Sequence, residues 1–176
     1  MSDVTIDRRR MLLGGAALAS LTACSNTKAE DAMSMTNEGA GGAAPQDGDW
    51  ADLTDAQWRE RLTEEEFRVL RKEGTERAGT SPLNQEKRAG TYVCAGCALP
   101  LFSSDTKYES GTGWPSFFDT LPDAVETKTD FKLIVPRTEY HCARCGGHQG
   151  HVFNDGPKPT GLRYCNNGVA LDFQPA

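Results

Sequence analysis

The feature that most constrains the fold of this 176-residue chain is a pair of Cys-x-x-Cys units. Cys94 and Cys97 form the first unit, Cys142 and Cys145 form the second, and 44 residues lie between the two units. Each unit forms a knuckle that directs two thiolates at one ion, and two knuckles complete the tetrahedral four-sulfur shell that suits zinc. Because protein sulfurs take all four ligand positions, we predict one structural zinc per chain. Disulfides or a redox-active Cys-x-x-Cys are the alternative interpretations.

The second half of the chain has the pattern of an antiparallel sheet. Asn167-Gly168 is typical of a two-residue hairpin turn between strands. Short β-type runs are separated there by Gly, Pro, Asn and Asp, and they lie at 92–93, 131–135, 152–153, 162–164 and 169–173. We therefore predict a mainly β (α+β) fold in which helices precede the strands.

Two helix starts are visible upstream of these strands. Thr54 with Gln57, and Thr63 with Glu66, have the spacing of capping boxes, in which two side chains bond each other's backbone N–H groups. We expect the second helix to end near Gly74. We assign neither helix a chemical role.

Residues 1–23 have the pattern of an export signal. Three arginines at 8–10 precede an apolar run over 11–21, which is too short for a membrane span of about 20 residues. The paired arginines resemble a twin-arginine signal. Leu-Thr-Ala-Cys at 21–24 resembles a bacterial lipobox, which implies a lipid on Cys24. A plain secretory signal with an incidental cysteine is the alternative.

These patterns divide the chain into three segments. Residues 1–23 are a predicted signal peptide, 24–49 a lipidated N-terminus and flexible linker without an aromatic residue, and 50–176 the folded domain. We expect an exported lipoprotein, anchored in a membrane and facing the periplasm or the cell exterior. The net charge of −6 and the lack of a strongly basic stretch argue against a nucleic-acid partner. Nothing in the sequence indicates an oligomer, so we expect a monomer.

Cys165 stands apart from both Cys-x-x-Cys units and has a charged neighbour. Residues two apart in a strand share a face, so Arg163 is expected beside the thiol, where it favours the nucleophilic thiolate. His148, His151 and Asp155 add proton donors and an orienting carboxylate. A buried structural cysteine is the alternative for Cys165, and a second metal site is the alternative for the histidines.

An aromatic cluster, Gly-Trp-Pro-Ser-Phe-Phe, lies at 113–118. Trp114 and Phe117 are candidates for the wall of a site that holds a small apolar group beside the thiol. Ordinary core packing is the alternative for Trp114.

Together these motifs resemble the B-type peptide-methionine sulfoxide reductases, which reduce the R epimer of methionine sulfoxide in proteins. The resemblance covers residues 50–176 and includes both Cys-x-x-Cys units. It implies two antiparallel sheets, with the structural zinc away from the active site. It implies that Cys165 attacks the sulfoxide sulfur and becomes a sulfenic acid, while Trp114 holds the sulfoxide's methyl group. The polar side of the pocket would then be formed by His148, His151, Asp155, Arg163 and Asn167.

This sequence departs from the family at the position of a second, resolving cysteine. Many members have a cysteine there, whereas this chain has Thr112. With Cys24 lipidated and four cysteines on the metal, Cys165 is the one remaining thiol. We therefore expect its sulfenic acid to be reduced by an external thiol, either a thioredoxin-like or glutaredoxin-like protein or a small molecule.

Two non-enzymatic classes are the alternatives to this reductase. A zinc-knuckle β-fold that only binds ligands would use Trp114 and Phe117 as an aromatic cage. A structural lipoprotein would tolerate replacement of Cys165 by serine without loss of function. Turnover separates both from an enzyme, because fold alone does not.

Overall fold

The computed structural model of the protein describes residues 50–176, so the predicted signal peptide, Cys24 and the linker lie outside the described residues. The described part has two short helices and nine strands in two antiparallel sheets, which confirms the mainly β prediction. The helices are α1 Asp55–Arg61 and α2 Glu64–Leu70. The strands are β1 Gly90–Cys94, β2 Pro100–Ser103, β3 Lys107–Tyr108, β4 Ser116–Phe117, β5 Val125–Asp130, β6 Arg137–Cys142, β7 His148–Phe153, β8 Arg163–Asn166 and β9 Leu171–Pro175.

The smaller sheet has the order β2-β1-β9, and the larger has the order β3-β4-β8-β7-β6-β5. An aromatic core joins the two sheets. Phe102 of β2 stacks on Phe117 of β4 with ring centroids 4.1 Å apart, and Tyr92 of β1 meets the Phe117 ring edge-on at 4.9 Å. All three side chains are fully buried. Burial of such large aromatic surfaces is a principal source of stability, so this core holds β4 and β8 in place beneath the site.

Both predicted capping boxes form. Gln57 N donates to Thr54 Oγ1 at 3.4 Å, and Thr54 N donates to Gln57 Oε1 at 2.9 Å. The same exchange joins Thr63 and Glu66 at 3.3 and 2.7 Å. Each exchange satisfies backbone donors that a helix start leaves unpaired.

The second helix ends earlier than the predicted end near Gly74. Its last residue is Leu70, and the guanidinium of Arg71 donates to the carbonyl oxygen of Cys145 at 2.8 Å. The helix end is therefore docked on the second knuckle. A Cβ added to Gly147 would lie 3.0 Å from the Leu70 side chain, so α2 approaches this knuckle too closely for a larger residue there.

The apolar run at 131–135 is not a strand, contrary to the prediction. It belongs to the connection between β5 and β6, and all five of its residues are exposed. The preceding strand, β5, has the polar sequence Val-Glu-Thr-Lys-Thr-Asp. Strand β5 forms because each of its residues pairs with β6. Strand propensity depends on the partners that a segment meets, and within residues 50–176 the apolar run has no partner strand.

The predicted hairpin at Asn167-Gly168 is also wrong. Strands β8 and β9 belong to different sheets, and the short 3₁₀ helix Gly168–Ala170 carries the chain between them. Asn167 has a φ of −66°, outside the left-handed region that such a hairpin turn needs. Glycine is needed here for space, because a Cβ on Gly168 would lie 1.9 Å from Ser81 Oγ.

No helix within residues 50–176 has the length and apolar character needed to cross a membrane.

Candidate active site

Four buried cysteine side chains meet between the two sheets, as the two Cys-x-x-Cys units predict. Their sulfur atoms all lie within 4.8 Å of one another, with 3.7 Å between Cys94 and Cys145 and 3.5 Å between Cys97 and Cys142. A tetrahedral Zn²⁺ with Zn–S bonds of 2.3 Å requires sulfur atoms about 3.8 Å apart. The cluster therefore has the donor set and the spacing to hold a metal ion.

The two knuckles have matching backbone geometry. Ala98 N donates to Cys94 O at 2.7 Å, and Gly146 N donates to Cys142 O at 2.9 Å. The residue after each knuckle adopts a left-handed conformation, with φ of 57° at Ala98 and 66° at Gly146. Cys94 ends β1 of the smaller sheet and Cys142 ends β6 of the larger one. A metal held by all four sulfurs would tie the two sheets together.

Cys165 lies in the middle of the larger sheet. Its strand, β8, runs between β4 and β7, so that Cys165 pairs with Ser116 on one side and with His151 on the other. The Cys165 side chain lines a cavity of about 110 Å³. A single water occupies about 10–15 Å³ of such space, so a group of several heavy atoms fits beside the thiol. The cavity is lined by Thr75, Trp114, Arg137, Gly150, His151, Phe153, Cys165, Asn166 and Asn167.

Trp114 forms the aromatic wall of this cavity. Its indole Nε1 donates to the carbonyl oxygen of Glu76 at 2.9 Å. The preceding residue, Gly113, has a φ of 90°, and its carbonyl oxygen accepts from Gly79 N at 2.7 Å. A Cβ at Gly113 would lie 3.0 Å from Ala78. A glycine is therefore required here, and the backbone before Trp114 is held by the 76–79 segment.

The Cys165 thiol is surrounded by groups with opposing electrostatic effects. Burial raises the pKa of the Cys165 thiol above its ordinary value, while Thr112 and the positive charge of Arg163 act against that rise. Thr112 Oγ1 lies 3.9 Å from Cys165 Sγ. Arg163 is held by two bonds of 2.8 Å to the carboxylate of Asp155, and its guanidinium lies over the Phe153 ring. Asp155 thus fixes the guanidinium, whose positive charge favours the thiolate.

His151 faces the cavity and has a carboxylate partner. Its Nε2 donates to Asp130 Oδ2 at 2.8 Å, so the second ring nitrogen is available for a further proton. Burial lowers the pKa of His151, and Asp130 opposes that change. The pKa of Asp130 is held well below its usual range by the backbone N–H of Lys132, by His151 and by Arg137. Asp130 is therefore ionised and is available to stabilise a protonated His151.

His148 does not line the cavity, although the sequence predicted it in the pocket. It is buried, and its Nδ1 donates to Glu139 Oε1 at 2.7 Å. The His148 and His151 rings lie 5.6 Å apart. Burial acts to raise the pKa of Glu139, but the bond from His148 and the Lys128 ammonium at 2.9 Å outweigh it and the pKa is lowered. His148, held by Glu139, therefore packs against the His151 ring.

Asn167 fixes the opposite side of the cavity. Its side-chain nitrogen donates to Gln149 O at 2.9 Å, and its Oδ1 accepts from Glu76 N at 2.9 Å. The Glu76 carboxylate in turn accepts from Gly168 N at 2.6 Å. Asn167 therefore links β7 to the segment that holds Trp114.

The prediction that Phe117 walls the site is wrong. Phe117 is fully buried between the sheets and is stacked on Phe102. In β4, Ser116 and Phe117 point to opposite faces, and Ser116 is the residue that bonds Ser110 at 2.7 Å on the cavity side. The sequence alone did not show which face of this strand is buried. In the structure, alternation within the strand assigns Phe117 to the core.

Sequence reasoning missed four residues that shape the cavity. Asp130 and Glu139 position the histidines, Glu76 carries the tryptophan segment, and Arg137 lines the cavity directly. Asp130, Glu139 and Glu76 lie nine or more residues from the side chains they bond, so spacing along the chain carried no signal.

The arrangement has the chemistry of a nucleophilic redox site. It combines one thiol, an imidazole with an ionised partner, and an aromatic wall around a small cavity. Cys165 is also the only cysteine within residues 50–176 outside the four-sulfur cluster. A thiolate that attacks an electrophilic sulfur needs a proton donor for the atom that leaves, and His151 lies opposite Cys165 for that purpose.

A family model and the curated relatives indicate the same family. A family model described as the SelR domain matches residues 62–175. A "Peptide methionine sulfoxide reductase MsrB" from Leptospira interrogans is 56% identical over 122 residues, which cover 69% of this chain and 93% of that protein. The protein of the same name from Thiobacillus denitrificans is 54% identical over 123 residues, covering 69% and 93%. The one from Pseudomonas putida is 54% identical over 125 residues, covering 70% and 94%.

Proposed function

Because this chain belongs to the SelR domain family, we propose that it is a peptide-methionine (R)-S-oxide reductase. The observation that carries the proposal is the Cys165 thiol in a small cavity, with Trp114 on the wall and His151 directly across the strand pair. The substrate is methionine sulfoxide within a polypeptide. The binding module with an aromatic cage is disfavoured, because Phe117 is in the core and leaves Trp114 without its expected partner.

The reaction follows from the positions of three side chains. The sulfoxide's methyl group packs on Trp114, and its oxygen points toward His151. The Cys165 thiolate attacks the sulfur and His151 delivers a proton to the oxygen. The hydroxyl then passes from the substrate sulfur to the Cys165 sulfur, so that a new sulfur–oxygen bond forms while the substrate's sulfur–oxygen bond and the transient sulfur–sulfur bond break. Methionine leaves with two more electrons than the sulfoxide had, and the oxygen stays on Cys165 as a sulfenic acid. In this orientation, one epimer of the sulfoxide presents its sulfur to Cys165.

Neighbouring residues assist this step by acting on Cys165, His151 and Trp114. Arg163, fixed by Asp155, favours the thiolate form of Cys165 against the effect of burial. Asp130 stabilises the protonated form of His151 before the proton is transferred. Asn167 positions the segment that carries Trp114.

We propose zinc as the metal of the four-cysteine cluster. Cys94, Cys97, Cys142 and Cys145 would hold it, and the all-sulfur donor set and the spacing of the sulfurs support this choice. The bound ion would supply structure, because all four positions are protein ligands and none of the four lines the cavity.

We propose that an external thiol restores Cys165. Among the described residues no second cysteine contacts Cys165, and Thr112 is the residue 3.9 Å from its sulfur. A threonine hydroxyl does not condense with a sulfenic acid to form a disulfide. A thiol from a thioredoxin-like protein, a glutaredoxin-like protein or a small molecule therefore enters the open cavity, forms a mixed disulfide with release of water, and a second thiol releases Cys165.

We also propose that the protein is a lipoprotein anchored through Cys24 and facing the periplasm or the cell exterior. The support is the sequence pattern at 8–24. The mass of the N-terminal peptide from a membrane fraction tests this proposal, since a peptide without lipid would contradict it.

Separate assays of the two epimers test the function. With dithiothreitol as the reductant, the full chain is expected to reduce the R epimer of N-acetylmethionine sulfoxide and to leave the S epimer unreacted. The reason is that the Trp114 wall and His151 accept the methyl group and the oxygen in one arrangement. Reduction of the S epimer at a similar rate, or of neither epimer by folded protein, would contradict the proposal.

Replacing Thr112 by cysteine is expected to change how Cys165 is regenerated, from reduction by an external thiol to formation of an intramolecular disulfide. The new thiol would lie beside Cys165, so one equivalent of sulfoxide would leave an intramolecular disulfide instead of a sulfenic acid. Thiol titration after a single turnover without reductant measures this, with Thr112→Ser as the matched control. The wild-type chain and the control are expected to lose one thiol per methionine formed, and Thr112→Cys two. Loss of a single thiol in the cysteine variant would contradict the geometry.

A further inference from the structure

The connection between β5 and β6 carries an exposed apolar tip, defined here as residues 131–135. Its large hydrophobic side chains are 57–103% exposed, and within residues 50–176 no other large hydrophobic side chain is exposed to this degree. Exposed apolar residues that occur singly are ordinary, whereas a contiguous patch marks a surface that contacts something. The side chains of the apolar tip are Phe131, Leu133, Ile134 and Val135.

The base of the apolar tip is held by polar contacts. Asp130 and Arg137 are the last register pair of β5 and β6, and their side chains form an ion pair at 2.7 Å. Asp130 Oδ1 also accepts from Lys132 N at 2.8 Å. The ammonium of Lys132 forms an ion pair with Glu73. The apolar side chains are therefore presented on an anchored turn.

The same base residues are part of the catalytic site. Arg137 lines the cavity together with Cys165, and Asp130 bonds His151, which lines it too. The apolar tip is thus joined at both of its ends to residues of the catalytic site. A polypeptide with its sulfoxide side chain at Cys165 has its flanking residues outside a cavity of about 110 Å³, where the rim contacts them.

We propose that the apolar tip docks the apolar residues that flank methionine sulfoxide in an unfolded or partly unfolded polypeptide. Methionine belongs to hydrophobic cores and interfaces, and its sulfoxide disrupts them. The sulfoxides in need of repair therefore stand among apolar neighbours that oxidation has exposed. Contact between those neighbours and the apolar tip removes both apolar surfaces from water. The inference rests on the proposed reductase function and adds to it a preference for apolar sequence context.

The test uses the full chain as the enzyme and compares two peptide substrates of equal length. One has leucine and valine on both sides of methionine-R-sulfoxide, and the other has serine and glycine there. The variant combines Leu133→Ser, Ile134→Ser and Val135→Ser. We expect it to lower kcat/KM about tenfold for the apolar peptide, and to leave kcat/KM unchanged for the polar peptide and for N-acetylmethionine sulfoxide. These side chains are 57–103% exposed, so the melting temperature should not change.

A matched variant retains the apolar character of the tip. Leu133→Met, Ile134→Val and Val135→Leu together are expected to keep the wild-type preference for the apolar peptide. Equal kcat/KM of the wild-type chain for the two peptides would overturn the inference while leaving the reductase function standing. An equal loss on all three substrates would also overturn it, because the tip would then act through Asp130 on the catalytic site. No turnover of N-acetylmethionine sulfoxide by the wild-type chain would instead remove the proposed function.

A lipid surface is the other class of apolar partner. Cosedimentation with phosphatidylcholine vesicles distinguishes it. If the serine variant loses vesicle binding and keeps wild-type kinetics on the apolar peptide, the tip contacts lipid and the inference is overturned.

Discussion

Replacing Cys165 by serine is expected to abolish reduction of methionine-R-sulfoxide, by at least about a thousandfold in kcat/KM. The reason is that within residues 50–176 no other cysteine lies outside the four-sulfur cluster. A serine hydroxyl at the same position is not ionised near neutral pH and does not accept the oxygen as a stable acid. His151 and Trp114 would still bind the sulfoxide, but no atom would attack it.

Single-turnover chemistry measures this loss most directly. Without reductant, the wild-type chain should form one methionine per Cys165, and Cys165→Ser should form none. Cys165→Ala is a useful companion, since it removes the polar atom altogether and should be equally inactive. Both variants should melt near the wild-type temperature, because the substitution changes a single atom or removes one, and the side chains that hydrogen-bond the thiol are Thr112 and Arg163. Methionine formation by either variant would mean that another group performs the attack.

Replacing Cys142 by serine is expected to remove the metal and most of the stability of the domain. Cys142 ends β6 of the larger sheet, whereas Cys94 ends β1 of the smaller sheet and Cys97 lies in the turn that follows it. Structural zinc sites contribute about 10–16 kcal/mol in small peptides, whereas whole domains are stable by about 5–15 kcal/mol. Loss of the ion is therefore expected to leave the variant largely unfolded at ordinary temperature.

Cys165→Ser is the matched control, because it makes the same chemical change away from the cluster. Metal content and thermal unfolding are the measurements. Wild-type protein and Cys165→Ser should both carry one zinc per chain and melt alike, and Cys142→Ser should carry far less and lack a cooperative transition. A wild-type protein without metal, with its four cysteines in two disulfides, would refute the zinc proposal. A metal-free Cys142→Ser that melts like wild type would refute the structural role.

Local sequence patterns were sufficient for the features that depend on neighbours along the chain. A knuckle is formed by four consecutive residues, so the spacing of Cys94 with Cys97 and of Cys142 with Cys145 already defines two half-sites. A capping box involves residues three apart, so Thr54 with Gln57 indicated a helix start correctly. Within β8, strand alternation correctly separated the Cys165 face from the Tyr164 face, which packs in the aromatic core. These features follow from backbone geometry over a few residues.

Local patterns did not predict which segments distant along the chain would pair. The polar segment of β5 became a strand because β6 lies beside it, and the apolar run after it did not, because it has no partner. Asn167-Gly168 crosses between sheets instead of turning back within one.

The polar support of the site was decided by the tertiary structure as well. Asp130 and Glu139 reach His151 and His148 across neighbouring strands. Phe117 lies in the core because β4 presents Ser116 to the other face. By itself, the sequence predicted Cys165 as the nucleophile and indicated which four sulfurs meet. The tertiary structure decided the surroundings of the Cys165 thiol. Burial raises the pKa of this thiol, and a fixed guanidinium and an imidazole with an ionised partner lie near it. Their positions depend on strand register and not on spacing along the chain.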